Sequence, residues 1–173
     1  MAANVGHVAM NTLIWEAAVM LFVIGIVEMG IGNNEPKDFG IVLLSGALME
    51  TVAMCFVIAA GEMFGATVAA AFVLLLWFLG IALTLGGTNR MAINHSVWFT
   101  GVLFLAFTIF VAQHGMVWLT FALGLLVPIT WLLSLSNYTG KHVLGKIAGF
   151  LSFIDGWIFF ILALGHVVGW HLK

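Results

Sequence analysis

Charge is what this chain has least of. Its 173 residues include five lysines or arginines and seven aspartates or glutamates, so 7% are charged, against about 25% in an ordinary soluble domain. So little charge cannot clothe a water-facing surface. The net charge of −2, with no basic cluster, excludes a nucleic-acid partner. Cysteine is reduced to one residue, Cys55, inside an apolar run, which excludes a disulfide framework and a thiolate metal site. The N-terminus has no basic segment ahead of its first apolar stretch, and that stretch is long enough to span a bilayer, so a cleavable signal peptide is not expected. Long polar connections are missing too, which leaves no room for a separate catalytic or signalling module. No nucleophile is paired with a base and no phosphate-binding loop or nucleotide site is visible. The expectation is therefore a protein that is not an enzyme and calls for no cofactor.

Apolar residues fill the space that charge leaves. They make up 64% of the chain, and the mean hydropathy is +1.21. A helix crosses the hydrocarbon core with roughly 20 apolar residues, and six such stretches can be marked between polar or turn-forming residues. They run over about 12–31, 39–60, 64–85, 94–112, 116–136 and 143–170. Their length and lack of two-residue alternation select helices over barrel strands. The chain is thus expected to be an all-α integral membrane protein, a single domain of six transmembrane helices over residues 1–173, multi-pass in a cell's inner (plasma) membrane. Lys37, Arg90, Lys141 and Lys146 fall in or beside the first, third and fifth connections, with Lys173 the exception. The positive-inside rule then places those connections in the cytoplasm and both termini outside.

Ionisable groups within spans are expensive and usually face a bundle interior or an aqueous path. Glu16, Glu28, Glu50 and Asp155 qualify. Glu16 and Glu28 lie near span ends, where reaching the headgroups is an equally good reading. Glu50 and Asp155 fall near the midplane. For each, a carboxyl bonded to a neighbouring helix stands beside a role in a solute path. The histidines divide into an outer set, His7, His114, His166 and His171, and an inner pair, His95 and His142. None shares a helix with a second histidine and a carboxylate at metal-ligand spacing, so no metal site is expected; His166 and His171, five apart, sit on different sides of a helix. An outer pH sensor is the alternative to ordinary interfacial histidines. Trp15, Trp118 and Trp170 read as belt residues near span ends, whereas Trp77, Trp131 and Trp157 are deeper. Small residues at helix-packing spacing occur at Gly61–Gly65 and Gly165–Gly169.

The C-terminal pattern Leu144-Gly145-Lys146, then Ile154-Asp155-Gly156 and an aromatic finish at Trp170, resembles the last helix of the UreI/AmiS family of urea and short-chain amide channels. The turn Asn34-Glu35-Pro36-Lys37 resembles that family's acidic-Pro-Lys turn, and Ser96-Val97-Trp98-Phe99 the start of its fourth helix. The resemblance implies six spans with both termini outside and a narrow pore inside each protomer, passing a small neutral solute. It implies a closed homo-oligomer among the membrane lipids, a hexamer. It places Phe78, Trp131 and Asp155 in the pore; Glu50 has no counterpart in the family and joins them as a buried carboxyl. Aromatic walls suit a flat neutral amide, because stripping water from an ion is far more costly. The sequence departs from the pattern at Asp155, where the family often has Glu, and at Val127 and Ala82, where aromatics are expected. A fainter likeness, Gly61-Glu62-Met63-Phe64-Gly65-Ala66-Thr67, is to six-helix acetate transporters, though their Asn-Pro-Ala-Pro signature is missing. There Glu50 would carry the proton. A structural subunit of a larger membrane complex is the third reading.

Overall fold

The computed structural model describes residues 2–32, 35–85 and 91–169. Six helices account for nearly all of them: α1 (Ala2–Glu28), α2 (Pro36–Ala59), α3 (Met63–Thr84), α4 (Met91–Gln113), α5 (Val117–Thr139) and α6 (His142–Val168). All six are long and apolar enough to cross a membrane. In lipid the backbone must satisfy its own polar groups, which a helix does. The hydroxyls follow the same rule. Thr51 donates to the Ala47 carbonyl at 2.6 Å, Thr84 to Gly80 at 2.7 Å and Thr108 to Phe104 at 2.7 Å, each one turn back.

The expected span ends fall within three residues of the helix ends except at the start of α1, which begins at Ala2 rather than near Thr12. Hydrogen bonding, not hydropathy, sets a helix end, and this extension also has something to pack on. Ala9 and Leu13 join a buried cluster with Ala53, Val57 and Ala66. A Cβ at Gly6 would lie 2.5 Å from that of Ala60. The other ends carry ordinary signals: Pro36 opens α2, and Gly140 (φ 67°) closes α5 by donating its N–H to the Ser136 carbonyl.

The helices form a ring in chain order. Each packs on its neighbours in sequence, and α6 returns to α1; across the ring, among the described residues, only α1 and α3 touch, and slightly. Both α1's start and α6's end therefore lie at one face of the ring, together with the α2–α3 and α4–α5 turns. This is called the terminal face below. Lys37, Lys141 and Lys146 stand at the opposite face, while Arg90, Lys173, Trp170, His171 and Asn34 lie outside the described residues.

Close backbone approach joins the helices in pairs. A Cβ on Gly149 of α6 would stand 2.9 Å from the Gly25 carbonyl oxygen and from the Met29 nitrogen of the α1 end. A Cβ on Gly40 of α2 would stand 2.7 Å from the Thr84 nitrogen of α3. The small-residue spacing that serves packing is thus Gly145–Gly149. Gly61 and Gly169 instead take turn conformations at φ 84° and 72°. Hydrogen bonds reinforce the pairs: Ser152 to the Leu21 carbonyl at 2.9 Å, Trp77 to the Thr51 hydroxyl at 3.3 Å, and Ser134 to the Asn94 carbonyl at 2.9 Å. Gly149→Ala is expected to lower stability by about 1–3 kcal/mol through overpacking. Gly124→Ala meets only Thr108 Cγ2 at 3.5 Å and is expected to gain up to about 1 kcal/mol from helix propensity. Thermal unfolding in detergent reads both, and equal effects would contradict the α1–α6 contact.

Candidate functional site

The ring encloses a cavity of about 650 Å³ that opens at the terminal face. His7, Glu62, His114 and His166 stand around its mouth, and its wall is largely aliphatic, with Leu13, Val68 and Leu119 among its members. Well inside it stand Glu50, Phe72, Phe104, Leu126 and Phe159. Each lies nine residues from the terminal-face end of its helix: Ala59 for α2, Met63 for α3, Gln113 for α4, Val117 for α5 and Val168 for α6. At 1.5 Å per residue they share one level, about 14 Å below that face. Five helices thus contribute one side chain each to a floor made of three phenyl rings, a leucine and a carboxyl.

The rings close the middle of the bundle. Phe104 is fully buried, and its ring centroid stands 6.5 Å from that of Phe72. Glu50 is 1% exposed, and its Oε1 has no hydrogen-bond partner among the described residues. Glu16, on the adjoining helix α1, is half-buried, and its Oε2 has no hydrogen-bond partner among the described residues.

Below the floor comes Asp155. It sits one helical turn beyond Phe159, about 6 Å deeper, and halfway along α6, thirteen residues from both His142 and Val168. It is completely buried, and neither carboxyl oxygen has a partner among the described residues. At the opposite face a second cavity of about 460 Å³ is lined by Glu28, Ser136, His142, Gly145 and Lys146. Following α6 from the terminal face, one meets a wide cavity, a plug holding the buried Asp155, and a smaller polar cavity.

The residues expected in the pore therefore separate. Glu50 lines the first cavity, and Asp155 lies between the two. Phe78 is half-buried on α3 and lines neither cavity. Trp131 lines neither as well; it packs between α5 and α4, where its indole N–H donates to the Trp98 carbonyl at 3.2 Å and its ring stacks on Trp98 at 5.2 Å. Trp131→Phe is expected to lower stability by about 1 kcal/mol, the net worth of one hydrogen bond, while leaving solute flux unchanged within the error of a proteoliposome assay. Of the outer histidines, His7, His114 and His166 meet at one mouth; His95 lies instead near Tyr138, with centroids 6.5 Å apart.

Sequence reasoning missed Phe72, Phe104 and Phe159. A usable signal exists, because all three fall at the same count from their span ends once those ends are known. Against known proteins, no protein-family model matches the chain, no curated protein matches it, and no solved structure matches it.

Proposed function

We propose that the chain is a passive channel for small uncharged polar solutes, urea or short aliphatic amides. The observation that carries this reading is the helix ring around a central cavity, with a buried carboxyl at the floor and another one turn further along α6, both with oxygens unpartnered among the described residues. A largely apolar wall offers a hydrated inorganic ion too few ligands to repay its desolvation, but admits a neutral amide. Glu50 and then Asp155 offer acceptors to amide N–H groups that would otherwise lose their hydrogen bonds in the plug. The resemblance to the UreI/AmiS channels at Leu144-Gly145-Lys146 and Ile154-Asp155-Gly156 supports the same class. It also supports a hexamer, for which the exposed apolar faces of α2 (Leu48, Val52, Phe56) and α4 (Phe99, Val102, Ile109) offer surface. The clustering of Lys37, Lys141 and Lys146 at one face supports both termini lying outside, and the membrane proposed is an inner (plasma) one.

One observation favours a second reading, proton-coupled transport of a weak acid such as acetate. Glu50 lines the cavity, and the adjoining helix α1 carries a second carboxyl, Glu16, two groups able to take up a proton. Uptake of radiolabelled acetamide and acetate into proteoliposomes, with and without an imposed pH gradient, separates the two. The channel reading expects acetamide to equilibrate rapidly whatever the gradient. Acetate accumulation that needs the gradient, without amide flux, would transfer the assignment to the carrier.

A further inference from the structure

We infer that the floor of the first cavity is a binding site for a small primary alkylammonium ion, with Glu50 as counter-charge and Phe72, Phe104 and Phe159 as walls. The site stands on the cavity's geometry and holds whether or not amides cross the protein.

Charge comes first. The charged residues lining the cavity are Glu50 and Glu62, with no lysine or arginine among the lining residues. Glu16 adds a third carboxyl on α1, the helix that packs against α2. The described lysines are at the opposite face. Glu50 is 1% exposed, and its Oε1 lacks a protein partner among the described residues. With no donor or counter-ion supplied by the described residues, Glu50 carries its charge only when a ligand pairs it. A ligand that brings a positive charge and N–H donors supplies both.

The walls then select the kind of cation. Among the described residues no three His, Cys, Asp or Glu side chains gather as metal ligands, so an inorganic divalent ion would keep most of its coordination unmet. Phenyl faces, by contrast, attract a cation held within about 6 Å of the ring centre. An ammonium head has three donors, enough for the Glu50 carboxyl and one further acceptor. Its alkyl tail can extend upward along Leu126, Val68 and Leu13. Methyl- to butylammonium fits this description. Tetramethylammonium does not, because it offers no N–H to the carboxyl. The same N–H acceptor serves an amide in the proposed channel, so the ammonium ion is a blocker of that path.

Binding of radiolabelled ethylammonium to the purified full-length protein in detergent tests the site directly. Saturable binding is expected, weakened about tenfold or more in Glu50→Gln, the usual consequence of removing one partner of a buried charge pair. Equal binding by the variant would overturn the site, as would displacement by sodium or potassium as effective as by unlabelled ethylammonium. If Glu50→Gln fails to fold, labelling of Glu50 by a hydrophobic carbodiimide in the wild-type protein decides, read by peptide mass spectrometry. Ethylammonium should protect Glu50, and unchanged labelling would refute the site. Ethylammonium binding without amide flux retains the site and removes the channel; amide flux without ethylammonium binding does the reverse.

Discussion

Val68→Trp and Leu119→Trp, each separately, are expected to cut acetamide flux by about tenfold or more, since each indole fills part of the entrance cavity that a solute must cross and narrows it to a constriction. Both residues are half-buried members of the cavity wall, one on α3 and the other on α5. Each new indole enters existing empty space, so the fold should survive, and unfolding temperatures close to wild type would confirm it. Phe78→Ala is the matched control. Phe78 lies on α3 like Val68 but lines neither cavity, so its loss should leave flux at the wild-type rate. Stopped-flow traces for the three variants read the comparison together. Flux that fails in Phe78→Ala and survives in Val68→Trp would place the path elsewhere.

Asp155→Val should give an opposite pairing of effects: a more stable protein that conducts poorly. Asp155 is completely buried, and both its oxygens are without a partner among the described residues. Burying such a group unpaired costs about 1–3 kcal/mol, and removing it should return a gain of that order. Flux should fall about tenfold or more, because the plug would then offer amide N–H groups no acceptor midway. If Asp155 serves only to anchor α6 to a neighbouring helix, the signs reverse: stability falls and flux in the surviving protein persists. Chemical denaturation in mixed micelles, run beside the flux assay, distinguishes the two outcomes.

The contrast between what could be read from the residues and what could not is physical. Span number and most helix ends were legible because roughly twenty apolar residues between Gly, Asn and charged turns leave little choice of register. The start of α1 was not, because Ala9 and Leu13 pack on α2 and α3 through contacts distant in sequence. Depth was legible as well. Counting from span ends placed Glu50 and Asp155 near the middle, which is where they are. Rotation was not legible. These helices are apolar nearly all round, so periodicity does not say which side faces inward. For that reason Phe72, Phe104 and Phe159 escaped notice, and the spacing of Trp131 from Leu144-Gly145-Lys146 could not show that its ring stacks on Trp98 between α4 and α5. The same ambiguity hid Gly145–Gly149 as the close α1–α6 seam.

Stopped-flow light scattering of proteoliposomes exposed to an acetamide gradient tests the central claim most directly, with protein-free liposomes of the same lipid as the reference. The helix ring and its cavity predict a relaxation much faster than the protein-free rate, insensitive to a proton uncoupler and suppressed in Val68→Trp. A relaxation no faster than that of the protein-free liposomes, from protein shown to be folded and inserted, would contradict a channel and leave a structural role in a larger membrane complex.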